Sequence, residues 1–422
     1  MKKFLIIWLG EFISSIGTGM TSFALSVYVF QEFGSASAVS LVTLLAYLPT
    51  ILLNPVGGIL ADRFDRRLLM VCGDLFSAFG LVFILINAYM GTLTVLTICI
   101  GVTISSIFVS LLDPAYKATI TDLLSEEEYA KASGMVQIAS SAKYLISPTL
   151  AGFILAFSDI RLILWIDILT VFITVFSTLF VRRNIESKPA TEEGFNFWKN
   201  LVEGWNAVTK NRGILILVIL MAFVCFNVGF LQTLLSPMVL SFTDSKTLGM
   251  IESVSAVGML VGSIIIGIFS IKKNYSKVLA IALLVSGIFM SAIGVTTSVV
   301  FIIVSGVLFF MSLPYVNTCA DTLARLNIPN ELQGRAWGII GILSQLGYVV
   351  AYAVCGVLAD NVFSPLLLED GLLANSVGKL IGVGEGRGIG LMLIVCGILN
   401  IVVAIILSRV KALKKMDKLS ND

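Results

Sequence analysis

Gly57-Gly58-Ile59-Leu60-Ala61-Asp62-Arg63-Phe64-Asp65-Arg66-Arg67 joins two long apolar runs, at 38–61 and 68–90, through a handful of residues. Each run is long enough to cross the hydrocarbon core, which takes ~20 residues of helix. A connection this short makes them antiparallel membrane helices joined on one side. The arginines alone would anchor that loop on the inner face, where lysine and arginine accumulate. They leave unexplained Asp62, an acid at the end of an apolar helix, and the paired glycines before it.

Ten further runs of the same kind lie near 4–30, 92–113, 132–157, 162–181, 213–240, 248–271, 278–297, 299–323, 336–361 and 387–410. The composition agrees: 57% of 422 residues are hydrophobic, about 240 positions, which is what twelve helices of ~20 residues require. Charged residues make up 13%, against roughly 25% in a soluble domain. The expectation is an all-α membrane protein with twelve transmembrane helices. The first run follows Lys2 and Lys3, but it is too long for the core of a signal peptide and holds Glu11, so it reads as a retained helix.

Several chemistries are excluded at this level. There is no histidine, which removes imidazole acid–base catalysis and histidine-ligated metals. The six cysteines (Cys72, Cys99, Cys225, Cys319, Cys355, Cys396) lack C-x-x-C spacing and read as small core residues. No basic tract is interleaved with aromatics, so no nucleic-acid partner is expected. The glycine run at 382–390 has no βαβ context, and neither a cofactor nor a metal is expected. A membrane enzyme would need a reactive cluster that the chain lacks. A receptor would need a sensing domain, and the longest outer loop has only about 25 residues.

Charge placement gives orientation. With the N-terminus inside, the inner segments carry Lys2, Lys3, Arg63, Arg66, Arg67, Lys131, Arg182, Arg183, Lys188, Lys199, Lys210, Arg212, Lys272, Lys273, Lys277, Arg325, Arg335 and the basic tail, while the outer ones carry Arg161, Lys246, Lys379 and Arg387. Both termini are expected on the cytoplasmic side of a bacterial-type plasma membrane. The polar stretch 182–212 divides the chain into halves at 1–181 and 213–410, with a tail at 411–422. Its Phe195, Phe197, Trp198, Leu201, Val202 and Trp205 suggest an amphipathic helix along the inner membrane surface. The halves repeat one another. Pro114 precedes Lys131-Ala132-Ser133-Gly134 and, eighteen residues later, Gly152; Pro314 precedes Arg335-Ala336-Trp337-Gly338 and, again eighteen later, Gly356. Duplicated halves around a central site are the plan of many secondary transporters.

The string from Gly58 to Arg67 resembles the G-x-L-A-D-R-x-x-R-R signature of the major facilitator superfamily. Leu112-Asp113-Pro114-Ala115, Ile120-Thr121-Asp122, Ser147-Pro148 with Ala151-Gly152, and Gly356 with Ala359-Asp360 resemble its macrolide-efflux-type, drug:proton-antiporter branch. The resemblance implies two pseudo-symmetric six-helix halves, alternating access, a small-molecule substrate such as a macrolide-like drug, protons as the coupling ion and a monomer in the lipid bilayer. A siderophore, lysophospholipid or metabolite is the alternative cargo. It also implies gating roles for Gly58, Asp62, Arg63, Arg66, Arg67 and Asp122, with Asp62 near Arg335–Gly338 and Arg66 meeting Asp122. The pattern departs at span four, where Gly101 to Ser110 contains no arginine, and after span eight, where the repeated loop is reduced to Gly267 and Lys272-Lys273.

A charge at the bilayer centre costs at least ~2.5–3.5 kcal/mol on insertion scales, so each needs a partner or a purpose. Glu11 lies ~10 Å into span one and Lys143 ~16 Å into span five, at 1.5 Å per residue. Asp167 sits early in span six, and Asp113 and Lys117 are spaced to pair on one helix face. Glu11 and Asp167 are the candidate proton sites, with Lys143 as modulator, because moving a lysine toward or away from a buried acid changes its proton affinity.

Overall fold

The computed structural model describes residues 1–182, 197–269 and 271–419, excepting the side chains at 62, 121, 126, 130, 197–201, 414, 418 and 419. A backbone in hydrocarbon has no water to bond, so each N–H and C=O must pair inside a helix. The described residues contain helices and no strand. In chain order they are α1 (Lys2–Phe33), α2 (Ala36–Arg63), α3 (Arg66–Met90), α4 (Val95–Leu123), α5 (Tyr129–Leu145), α6 (Ser147–Leu155), α7 (Ile160–Arg182), α8 (Phe197–Lys210), α9 (Arg212–Leu240) and α10 (Ser245–Ile268). They continue with α11 (Tyr275–Val295), α12 (Val299–Asn327), α13 (Gln333–Leu358), α14 (Ser364–Leu366), α15 (Gly378–Ile381), α16 (Arg387–Arg409) and α17 (Lys411–Leu419). Twelve stretches are long and apolar enough to cross a membrane, α5 with α6 forming one and the run Asn330–Leu366 another. They fall where the apolar runs placed them.

Two compact units emerge, Met1–Glu193 with Asp244–Ser253, and Gly194–Thr243 with Val254–Asp422. The structure therefore groups α8 with the second unit and the first turns of α10 with the first. In the sequence, 182–212 reads as a separate linker. The charges at Arg183 and Lys188 and the aromatic Phe195 lie outside the described residues.

Within the first unit, α1 lies against α7 at glycines. A Cβ on Gly10 would come within 2.5 Å of Ser177 Oγ, and one on Gly17 within 2.4 Å of Thr170 Oγ1. The fifth span breaks at Ile146, because Pro148 has no N–H to continue the ladder. Ser147 Oγ donates to the Ile16 carbonyl at 2.9 Å, fixing the break against α1. The Thr149 N–H, at the first turn of α6, donates to Ser253 Oγ of α10 at 3.1 Å. Beside it, a Cβ on Gly249 would lie 2.2 Å from the Pro148 carbonyl, so the two backbones touch.

In the second unit α8 lies on the start of α13. A Cβ on Gly204 would come within 2.4 Å of the Arg335 carbonyl, and the Arg335 guanidinium bonds Glu203. Val202 and Trp205 are exposed on α8 while Val208 is buried, the two-faced pattern expected from the sequence. The tail helix α17 buries Leu413 and Met416. Its Asp417 accepts the Ser276 N–H at 3.1 Å and also bonds the Ser276 hydroxyl. Asn274, before α11, takes the left-handed conformation (φ 58°) and provides no side-chain cap. Asp417 thus caps α11 from another helix, with its charge at the positive helix end. We expect Asp417→Ala to destabilise the purified protein by about 1 kcal/mol, the usual cost of a lost cap. Thermal unfolding in detergent checks this; an unchanged midpoint would show that the tail contributes nothing to α11.

Candidate functional site

The loop after α2 is held by side chains from three helices. Asp65 caps α3, its Oδ1 accepting the Arg67 N–H at 3.0 Å, and its Oδ2 accepts Arg182 Nε of α7 at 2.9 Å. Burial pushes the Asp65 carboxyl up, but the Arg182 bond and the Arg67 amide outweigh it and hold the group below the ordinary aspartate value. Arg66 ties the end of α2 to α4, with Nε donating to the Ala61 carbonyl at 3.1 Å and Nη1 to the Ala118 carbonyl at 3.2 Å. Arg66 Nη1 also meets Asp122 Oδ1 at 2.8 Å. Arg67 is buried and Arg63 is exposed on the last turn of α2. The Asp62 side chain lies outside the described residues, and so does its expected contact near Arg335–Gly338. Of the two glycines, Gly57 is the one crowded by α4, 2.5 Å from the Ser110 carbonyl by its Cβ position, while a Cβ on Gly58 would meet nothing within 4 Å.

Several charges inside the membrane region lie within the first unit, while Asp321 of α12 and Arg387 of α16 lie in the second. Asp167 is 1% exposed, and its Oδ1 accepts from Thr18 Oγ1 at 3.5 Å. A Cβ on Gly17 would stand 2.9 Å from that same oxygen, so the missing side chain is what lets α1 close over the carboxylate. Two residues on, a Cβ on Gly19 would lie 2.9 Å from Lys143 Cγ, so the lysine stem lies against α1 there. Lys143 is within electrostatic range of Asp167. Glu11 is half-buried, its Oε1 is shielded with no hydrogen-bond partner, and Asp113 lies within its electrostatic range. Asp113 and Lys117 pair at 2.7 Å on α4 with both side chains exposed, so this pair does not belong to the buried set.

Three features escaped the sequence reading. Asp74 of α3 is 5% exposed, and Glu11 and Asp167 both lie within its electrostatic range. The signal was present, an acid within the apolar run 68–90, but two turns from Arg67 it passes for a loop-end charge. The Asp65–Arg182 bond also has a signal, a cap-type residue ahead of an arginine pair. Arg387, counted with the outer-loop charges, is the first residue of α16 and 4% exposed. Its Nη2 donates to the carbonyls of Gly294 and Val295 at 2.9 Å each, satisfying the end of α11.

The second unit also encloses neutral polar side chains. Tyr352 donates to Gln232 Oε1 at 3.2 Å, and Asn227 is buried nearby on α9. An open apolar groove of about 340 Å³ lies between Ala222, Phe223 and Phe226 of α9 and Leu346, Gly347 and Val350 of α13. Among the described residues, no three acidic or thiol side chains converge to hold a metal ion.

The sequence matches the profile of the Major Facilitator Superfamily over residues 7–352. The chain belongs to this superfamily. It is a multi-pass membrane protein, a secondary transporter rather than an enzyme. It is 28% identical over 372 residues to macrolide efflux protein A of Streptococcus pyogenes, covering 85% of this chain and 90% of that protein. It is 29% identical over 325 residues to macrolide efflux protein A of Enterococcus faecalis, covering 74% of this chain and 98% of the other. Among solved structures, the nucleoside transporter NupG superposes with a TM-score of 0.76 at 15% identity, covering 97% of this chain and all of that one. A bacterial homologue of the iron transporter ferroportin in an inward-facing state gives 0.72 at 14% identity, covering 97% and 99%. At these identities the structures speak for the fold alone.

Because the Asp65 carboxyl is held below its ordinary value, its bond to Arg182 stabilises the folded state above about pH 4 and that contribution disappears as the pH falls through the depressed value. We expect Arg182→Ala to cost up to about 1 kcal/mol at neutral pH, since Arg182 is part-exposed and screened. The gap from wild type should close in acid; a gap that persists in strong acid would assign the loss to packing.

Proposed function

We propose that this transporter exports amphipathic small molecules of the macrolide type across a bacterial plasma membrane, driven by inward movement of protons. The cargo is carried over from the two macrolide efflux proteins, which the chain matches across most of their length. That similarity carries the reading. The buried carboxylates support proton coupling. A proton-driven exporter needs an acid that loads from one side and unloads to the other, and Glu11 and Asp167 are acids in the membrane region of one unit with Lys143 near the second. Approach of the lysine favours the ionised acid and its withdrawal the protonated one.

The loop from Gly58 to Arg67, with Asp122, serves as the inner gating element in this reading. Arg66 supports it by fastening α2 to α4. The distribution of basic residues supports a cytoplasmic position for that loop, the α8 segment and both termini, and in this reading the protein works as a monomer.

A strain lacking its own exporters, made to express this chain, should tolerate more erythromycin than the same strain with an empty vector. Glu11→Gln and Asp167→Asn should lower uphill export by about 10²-fold, the low end for losing a positioned acid–base group. Equal erythromycin tolerance with and without the protein would discard the macrolide assignment, and a parallel screen with dyes and siderophores would then identify the cargo class. Membrane-impermeant thiol reagents should label a cysteine at position 246 in intact cells but not one introduced at 199 or 415. Labelling at 199 from outside would invert the topology.

A further inference from the structure

Asp74 has no part in the reading above, yet it stands between the two acids that do. Its level follows from the packing on either side. Ile7 of α1 and Met70 of α3 share one buried cluster with Tyr116 of α4. Glu11 and Asp74 are each four residues further along these helices, so both project one turn beyond that cluster. On its other side, Val71 and Ala78 of α3 pack with Val171 and Val175 of α7. Asp74 lies between the first two, and Asp167 lies one turn beyond Val171, toward Thr18 and Lys143. The three carboxyls thus form a staggered ladder: Glu11 beside Asp74, and Asp167, which meets α1 at Gly17, about two turns further along.

Two observations within this ladder indicate that it handles a mobile ligand. Asp74 Oδ2, in a side chain 5% exposed, has no hydrogen-bond partner. The Tyr116 hydroxyl, 7% exposed and within electrostatic range of Glu11, has none either. A buried polar atom normally has a partner, and leaving one unpaired costs about 1–3 kcal/mol, more for a charged group. The carboxyls do not converge to hold a metal ion among the described residues. The ligand that suits carboxyls spaced singly along a bundle is a proton. Of the other charged groups in the unit, Lys143 lies within electrostatic range of Asp167, Asp113 lies within that of Glu11 and pairs with Lys117 on α4, and Arg67 is two turns back from Asp74 on α3.

We infer that Asp74 is the middle member of a proton path through the first unit, running from Asp167 through Asp74 to Glu11, with the Tyr116 hydroxyl at the Glu11 end. In each step an O–H bond breaks at one carboxyl as another forms at the next, and the donor is left as the carboxylate. One proton moves and the total charge of the set is unchanged. The roughly two turns between Asp167 and Asp74, ~9 Å at 1.5 Å per residue, are closed by side-chain rotation together with a short file of bridging waters. Thr170, Thr174 and Thr178, all buried on the same helix as Asp167, keep the α7 side of the path polar without adding charge.

The inference rests on proton coupling, and the test separates the two. The full-length protein is reconstituted in liposomes loaded with a pH-sensitive dye, and proton and radiolabelled erythromycin movements are recorded together. Wild-type protein that carries erythromycin without moving protons would overturn the coupling and this path together. Where wild type couples, Asp74→Asn should bring the ratio of protons to erythromycin close to zero, and Asp74→Glu should restore it with a displaced pH profile. A ratio in Asp74→Asn equal to wild type, even with both rates reduced, would overturn the role of Asp74 and leave the coupling intact. If the asparagine variant does not reconstitute, wild-type protein decides. A hydrophobic carbodiimide, which attacks protonated carboxyls, should modify Asp74 increasingly as the pH is lowered. Modification of Glu11 and Asp167 but never of Asp74 would overturn the path.

Discussion

A carboxylate placed in hydrocarbon must be enclosed by protein, and in this molecule the enclosure is made by glycine. Asp167 is shut away because α1 has no side chain at Gly17, and Lys143 runs along α1 because there is none at Gly19. Either position filled would push α1 off α7 and α5 and open the acid to lipid. The cost of an exposed charge there, at least ~2.5–3.5 kcal/mol, exceeds the ~1 kcal/mol that a helical glycine gives up in propensity. The packing of the first unit and the chemistry it can perform therefore depend on the same two residues. The second unit uses glycine at comparable contacts, such as Gly347 against the Ala222 carbonyl, but encloses amide and phenol groups. Both units thus close helices on glycine, over a carboxylate in the first and over neutral polar groups at this contact in the second.

The loop between α2 and α3 shows how arginines so close in sequence come to do different work. Arg66 is consumed by two backbone carbonyls and Asp122, Arg67 is buried, and Arg63 faces outward. The acid that organises the start of α3 is Asp65, which caps the helix and holds Arg182 as well. This makes the ends of α2, α3, α4 and α7 one hydrogen-bonded assembly. A force applied to α7 reaches α3 through Asp65 rather than through apolar side chains alone.

Much of this was legible in the chain. The twelve apolar runs and the two-faced α8 follow from composition and hydrophobic pattern, whereas the break in the fifth span at Pro148 became visible only in the fold. The repeat seen at Pro114 and Pro314 corresponds to α4 and α12, each followed by a short 3-10 turn, at Glu126–Glu128 and Asn330–Leu332. What the chain could not convey was which glycine is crowded and which is open. Gly57 and Gly58 are adjacent and chemically identical, and only the position of Ser110 on another helix distinguishes them. The inward-facing charges of Asp74 and Arg387 escaped the sequence reading for a related reason. A charge near the end of an apolar run can face water or turn inward, and its neighbours in space decide.

The tail helix has a practical side. Asp417 occupies the start of α11, and Met416 Sδ fills the notch at Gly213, 2.2 Å from where a Cβ would be. The last turns of the chain are thus wedged between two spans rather than trailing behind them. An affinity tag or fluorescent reporter joined directly after α17 would load that wedge each time the spans shift. A spacer long enough to leave the helix slack should be the first thing varied when such a fusion loses activity.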